Sequence, residues 1–240
     1  MKKYLLNSLL NEGDFKINKF EIYSFYFGLF LLPSAFSIAI LFLFVSGLSS
    51  LIRNKNKLLS DKWNIIFLIG CLMMLLSSIF HLLNNSLNST FNWDASLSLV
   101  GLANWWPLII LFIGSQPYLI NSESRKNAGL ILLSGTFPIL ISGIGQAFFN
   151  WTGPIELLNG LIIWYQRPTS NFSAITGLFN NPNYAGAWLN IIWPFSLITI
   201  SKCNGIFKKL FCLIFMMTTF VFIILTGSRS ALLGVIISIP

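Results

Sequence analysis

Two arginines are the side chains of this sequence best suited to bind a charged substrate. Arg229 lies in LTGSRSALLG, between two apolar runs, and Arg167 lies in WYQRPTSNF. A guanidinium is permanently charged and offers a planar fork of donors that fits phosphate oxygens. At the start of a helix, Arg229 is also accompanied by backbone N–H groups without an intrahelical partner. The sequence therefore predicts a phosphate site at Arg229, with Arg167 as a second contact.

Each arginine also has an ordinary explanation, which the sequence leaves open. Arg229 stands where an arginine at the end of a membrane helix reaches lipid phosphates. Arg167 stands in a polar loop, where a surface arginine needs no partner.

Amide side chains form the second group of candidates. In TGLFNNPNYAG, Asn181 and Asn183 flank Pro182 just before an apolar run. This pattern predicts a turn in which Asn183 caps the next helix and Pro182 fixes its entry. The amides of Asn181 and Asn183 can also bond sugar hydroxyls, and Gln146, near the end of an earlier apolar run, can line a glycan cavity.

The remaining reactive side chains indicate no further site. The lone His81 is explained as an interfacial histidine, so the catalytic residue stays unassigned. Cys71, Cys203 and Cys212 are too widely spaced to indicate a disulfide framework or a metal site. We therefore predict no metal and no cofactor. The apolar runs also lack the acidic or basic residues that an ion-coupled carrier needs.

The composition excludes a cytosolic globular protein. Of 240 residues, 55% are hydrophobic and only 9% are charged, and the mean hydropathy is +0.75. The net charge of +8 lies in the joints between apolar runs. Such joints are explained by membrane orientation and attraction to membrane lipids, so we predict no nucleic-acid partner. The sequence predicts an all-α, polytopic transmembrane helical bundle.

The apolar runs set the predicted domain organisation. A cytoplasmic or interfacial segment, 1–24, precedes a transmembrane domain, 25–240, whose outer loop is 150–183. Within that loop, 157–165 is amphipathic enough to lie at the membrane interface. The last run, from Ala231 to Pro240, is too short to span, so the chain looks truncated. The six complete runs are 25–51, 65–83, 97–120, 128–149, 184–200 and 210–226. The fragment from Ala231 would be a seventh.

Lysine and arginine counts set the predicted orientation. Three alternate joints, 52–62, 121–127 and 201–209, hold nine Lys and Arg residues and are therefore predicted to be cytoplasmic. The same alternation places the lysine-bearing amino terminus outside, which contradicts the rule that Lys and Arg are enriched on the cytoplasmic side. Pro33 interrupts the first run, so we favour a hairpin: a re-entrant helix over 25–33, then a full span from Ser34 to Leu51, with both ends cytoplasmic.

Two strings together resemble a known family. TGLFNNPNYAG leads into an apolar run, and LTGSRSALLG follows about forty residues later. This pattern, within roughly residues 140–240, resembles the bacterial O-antigen ligase and O-antigen polymerase superfamily, which includes cyanobacterial members once described as bicarbonate transporters.

The resemblance implies a membrane glycosyltransferase in the bacterial inner membrane. Such an enzyme transfers glycan from a polyprenyl-diphosphate carrier to a lipid or glycan acceptor on the periplasmic side. Arg229 matches the family arginine that holds the carrier diphosphate, and Arg167 is a looser match. The family base is a histidine in a later periplasmic loop, which this sequence does not reach, so we expect no glycan transfer by these 240 residues alone. A permease for a small anion such as bicarbonate and a non-catalytic membrane scaffold remain alternatives.

Overall fold

The computed structural model describes residues 15–84, 96–168 and 174–238. Most of the predicted interfacial segment 1–24, and residues 169–173 of the outer loop, lie outside these ranges. The chain forms two compact units. One comprises Met1–Phe25 and Leu43–Ser124, and the other comprises Tyr26–Phe42 and Arg125–Pro240.

Helices dominate the described residues, as predicted. They are α1 Lys19–Leu31, α2 Phe36–Arg53, α3 Lys55–Ser60, α4 Lys62–Asn84, α5 Ser96–Ser115, a 3₁₀ turn Gln116–Leu119, α6 Ser122–Gly135, α7 Phe137–Phe149, α8 Pro182–Lys202, α9 Ile206–Leu225 and α10 Arg229–Ser238.

Five helical stretches in the described ranges are long and apolar enough to cross a membrane, which indicates a multi-pass membrane protein. The predicted span at 184–200 is not among them: α8 has 21 residues but carries several polar side chains along its length. The ten residues of α10 are fewer than a crossing requires. The five stretches are Phe36–Arg53, Lys62–Leu83, Leu97–Leu119, Ser122–Phe149 and Ile206–Leu225.

The predicted first span, 25–51, is interrupted at Pro33. α1 ends at Leu31 and α2 begins at Phe36, because proline lacks the N–H that would continue the helix. Near this break the rings of Phe27 and Phe42 meet edge to face, with their centroids 4.8 Å apart. The two helices therefore approach each other on either side of the break.

Further contacts place the start of α1 beside the end of α2. The Asn54 side chain accepts from the Lys16 backbone N–H at 2.8 Å and donates to the Lys16 carbonyl at 3.0 Å. The buried Glu21 carboxylate accepts from the Ser49 hydroxyl and lies 2.7 Å from the Arg53 guanidinium. Both ends of the α1–α2 pair thus lie on one side. This geometry is compatible with the predicted hairpin, and the cytoplasmic placement of both ends stays a prediction.

In the unit that contains these contacts, α2 and α5 meet at two glycines. A Cβ on Gly114 would collide with the backbone of Gly47, so only glycine permits this approach. Beside it, the fully buried Tyr118 donates to the Ser46 carbonyl at 2.8 Å and stacks on Phe25.

The start of α4 is fixed by paired amides. Asn64 donates to the Gln116 side chain at 2.9 Å, and Gln116 donates back at 2.7 Å. Asn64 also donates to the Leu58 carbonyl at 2.8 Å. Because Asn64 is fully buried, its amide needs these protein partners in place of water.

In the other unit, α8 packs against both α9 and α10. The core is formed by apolar side chains of α6 to α10 and of the segment that precedes α8. Its buried members are Leu133, Ile139, Leu140, Ile175, Leu178, Leu189, Ile192, Trp193, Phe215, Phe222, Ile223, Ala231 and Val235.

The outer loop contains a small two-stranded sheet, an addition to the all-α prediction. β1 (Ile155–Leu157) pairs antiparallel with β2 (Ile162–Trp164), and Glu156 faces Ile163 in the register. The chain reverses through residues 158–161, where Leu158, Asn159 and Gly160 all have positive φ. The amphipathic stretch 157–165 is therefore part of a hairpin.

All three cysteines are free, but two of them lie close together. The Sγ atoms of Cys203 and Cys212 lie 3.1 Å apart, although both thiols are free. Cys203 follows the last residue of α8, and Cys212 lies in the second turn of α9. The tight turn between the helices brings them together, which a spacing of nine residues does not reveal.

We predict that mild oxidation with copper–phenanthroline joins Cys203 to Cys212 within one chain, because the thiols are already in contact. Intact mass should fall by two hydrogens, and peptide mapping should show the 203–212 link while Cys71 stays free. The C203S variant should lose the link. Cross-linking of Cys71 in preference to this pair would contradict the packing of α8 on α9.

Candidate anion-binding site

Arg229 is the first residue of α10, as its sequence context predicts. α9 ends at Leu225, and the turn contains Gly227 in the left-handed region at φ 64°. The Thr226 hydroxyl donates to the Ile223 carbonyl at 2.7 Å, which closes the end of α9. The Arg229 side chain is exposed, beside helix-start N–H groups that have no intrahelical acceptor.

The first turns of α8 pack against the start of α10. A Cβ on Gly186 would lie 2.7 Å from the Cβ of Ser228 and 3.1 Å from that of Ala231. Ser228 is buried, and its hydroxyl lies 3.1 Å from that of Ser230. Glycine at position 186 therefore lets the TGLFNNPNYAG helix reach the turn that carries Arg229.

The amino end of α8 corrects the predicted cap. Pro182 is the first helical residue, so the cap is Asn181, whose side chain accepts from the Asn183 N–H at 2.8 Å. Proline suits the first helical position because its missing N–H is not needed there. The prediction that Asn183 is the cap is therefore wrong. Asn183 is exposed and Asn181 is half-buried.

The segment before α8 is joined to the end of α9. The Ile175 N–H donates to the Leu225 carbonyl at 3.0 Å, and Ala174 is the nearest side chain to Gly227. Gly177 has φ 56° and lies so close to Ile139 that a Cβ would be 2.9 Å from its Cγ2. Glycine is required there for both conformation and space.

Gln146 of α7 holds this segment in place. Its side-chain oxygen accepts from the N–H groups of Thr176 (3.1 Å) and Gly177 (2.8 Å). Its amide nitrogen donates to the Arg167 carbonyl at 3.1 Å and to the Thr176 hydroxyl at 3.0 Å. Gln146 has no exposed surface. In the structure it serves as a bracket, meaning one buried side chain that joins Arg167 to the Thr176–Gly177 part of the loop. Its predicted contact with glycan stays a prediction.

Arg167 is held through its backbone, while its side chain is exposed. Its N–H donates to the Thr176 hydroxyl at 3.2 Å. The preceding Gln166 is buried at φ 36°, and its amide donates to the Ser142 hydroxyl. The Gln166 carbonyl also accepts from Gly153 at 2.9 Å, which ties Arg167 to the base of the β-hairpin.

The structure thus collects the predicted residues around one loop. Direct contacts link the backbone of Arg167 to Gln146 and to the Thr176 segment, and that segment continues into Asn181 and α8. The same segment and α8 both contact the turn before Arg229. Sequence reasoning missed Thr176, whose hydroxyl joins two parts of the loop. Its place beside Gly177 in a string already noted was the available signal.

An apolar groove of about 440 Å³ runs between α7 and α9. Its lining includes Gly143 and Phe148 from α7, and Met217, Val221 and Leu225 from α9. Leu225 is the last residue of α9, so the groove reaches the turn that leads to Arg229. A groove of this chemistry accepts hydrocarbon chains.

The described residues contain no cluster of three or more His, Cys, Asp or Glu side chains that could hold a metal ion. The positive charge of this site comes from the arginines. No family model matches this chain, and neither the curated proteins nor the solved structures give a significant match.

We predict that G186A lowers the stability of the protein by about 1–3 kcal/mol, because the added methyl group must displace Ser228 or Ala231. The control is G70A, also within a helix, where nothing lies within 4 Å and alanine favours the helix. Thermal unfolding in detergent should show a lower midpoint for G186A and an unchanged or higher one for G70A. Equal midpoints would contradict the contact.

We predict that Q146L loosens the loop, because the buried N–H groups of Thr176 and Gly177 lose their acceptor at a cost of about 1–3 kcal/mol each. Hydrogen exchange of these two amides should become faster. The control Q116L breaks the amide pair with Asn64 in the other unit and should leave them protected. Unchanged protection in Q146L would show that the bracket does not hold the loop.

Proposed function

We propose that this chain is a membrane glycosyltransferase-like protein of the O-antigen ligase and polymerase type. Its proposed ligand is polyprenyl-diphosphate-linked glycan on the periplasmic side of a bacterial inner membrane, and the 240 residues alone are expected to bind this ligand without transferring the glycan. One observation carries the proposal: the two strings of the family resemblance, TGLFNNPNYAG and LTGSRSALLG, meet where Gly186 lies against Ser228 and Ala231.

Arg229 is proposed to bind the diphosphate of the carrier. Transfer of a glycan breaks the bond between sugar and diphosphate, and negative charge grows on the departing phosphate oxygens. A fixed guanidinium at that position stabilises this charge more in the transition state than in the ground state. The exposure of Arg229 and the free N–H groups at the start of α10 support this role.

The groove between α7 and α9 is proposed to hold the isoprenoid chain of the same carrier. Its walls are apolar, and its end at Leu225 lies four residues before Arg229 in the chain. A lipid with its hydrocarbon in this groove can place its diphosphate at the helix start. Hydrocarbon and headgroup would then be bound by neighbouring parts of one unit.

Exposed polar groups of the loop are proposed to contact the glycan. Asn183 lies in the first turn of α8 with its side chain exposed, and Arg167 extends from the other part of the bracketed loop. Amides and guanidinium groups bond sugar hydroxyls and phosphates respectively. The acceptor, a lipid or another glycan chain, must lose a hydroxyl proton, and we assign no residue to that step.

We predict that the full chain in nanodiscs binds undecaprenyl diphosphate and that R229A weakens binding about ten- to hundredfold, since charge-assisted hydrogen bonds contribute about 1.5–3 kcal/mol. R229K should also bind more weakly, because lysine keeps the charge but lacks the fork. Radiolabelled lipid retained on immobilised nanodiscs measures the dissociation constant.

The matched control is R125K, an exposed arginine on the predicted cytoplasmic side, which should bind as the parent does. Undecaprenol, which has the chain without the diphosphate, should bind R229A and the parent equally. Diphosphate binding that is unaffected in R229A, or no binding by the parent, would overturn the proposal.

A further inference from the structure

The β-hairpin of the outer loop exposes apolar side chains at its tip. Leu158 and Leu161, in the reversing turn, are 62% and 56% exposed. On β1, Leu157 and Ile155 are also exposed and share one face of the hairpin, whereas the exposed Ile163 pairs with Glu156 on the opposite face. An apolar tip of this kind is unfavourable in water and marks a surface that meets an apolar partner.

The hairpin is continuous with a surface that already faces hydrocarbon. α7 completes a 28-residue stretch that can cross a membrane, and its last two residues, Phe148 and Phe149, are strongly exposed. The ring of Trp151, just beyond the helix, lies 6.5 Å from that of Phe149. The apolar surface therefore runs from the end of α7 towards the hairpin without a charged residue between them.

The charge and aromatic content of the loop fit a lipid interface. Glu156 is the only charged residue between Phe149 and Arg167. Trp151 and Tyr165, both exposed, flank the hairpin. Such rings favour the headgroup region, where the apolar part meets hydrocarbon and the polar atom meets water.

The hairpin is also fixed to the helices rather than tethered by a free loop. The indole of Trp164 donates to the Ser34 carbonyl at 2.7 Å, in the break between α1 and α2. At its base, Gly153 donates to the Gln166 carbonyl, and a Cβ on Gly153 would lie 2.6 Å from the Trp164 carbonyl oxygen.

We propose that the hairpin Ile155–Trp164 inserts its tip into the lipid leaflet at the membrane surface where α7 ends. The partner is the lipid bilayer, which covers Leu157, Leu158 and Leu161. Arg167 follows β2 by three residues, so an inserted hairpin keeps it close to the membrane surface. Insertion does not depend on the glycosyltransferase proposal.

A fluorescent probe on the tip tests this. L158C is made in a chain that also carries C71S, C203S and C212S, labelled with the environment-sensitive dye NBD, and reconstituted into vesicles of phosphatidylethanolamine and phosphatidylglycerol. The matched control is S60C in the same background, an exposed polar position at the end of α3. Gel filtration in detergent checks that both variants are folded.

Insertion predicts a blue-shifted emission for the L158C probe, with loss of most of that emission when doxyl-labelled lipids are included. The S60C probe should emit as in water and keep its emission. Adding L161D to the L158C chain should reduce both the shift and the quenching. An unshifted L158C probe overturns the proposal. A blue shift that doxyl lipids do not quench, with cross-linking of L158C between two copies, also overturns it, because another copy then covers the tip.

Discussion

The buried amide of Gln146 is the interaction on which the candidate site depends. Irregular backbone beside membrane helices must have its polar groups satisfied by protein, since hydrocarbon offers no partner. Gln146 supplies acceptor and donor together to Thr176, Gly177 and Arg167, so one side chain fixes two distant parts of the outer loop. The loop can then pack on the end of α9, and α8, which follows it, packs on Ser228 just before Arg229.

The helices follow from the sequence because hydropathy and proline act locally. Apolar runs of sufficient length specify membrane helices, and Pro33 specifies the break between α1 and α2. The predicted span at α8 was the exception. Its small and polar residues lower its mean hydropathy, so that it is not apolar enough to be a membrane span. The contacts between the start of α1 and the end of α2 could not be predicted from the sequence, because they depend on how the two helices pack.

The site follows from the sequence only in part. Arg229 at a helix start and a capped turn at Pro182 are local features and were predictable, although the cap proved to be Asn181 because proline occupies the first helical position. The contact of Cys203 with Cys212 depends on how a turn folds two helices together. Neither residue spacing nor composition contains that information.

The paired ends of α1 and α2 have a consequence for biosynthesis. Lys16, just before α1, is bonded to Asn54, just after α2, and Glu21 in the first turn of α1 is bonded to Ser49 and Arg53 near the end of α2. A helix pair whose ends stay together can enter the bilayer from the ribosome side as a single loop. With the predicted cytoplasmic amino terminus, Lys16 and Lys19 then stay on the side where they are made, and the chain avoids the electrostatic work of moving them across the lipid.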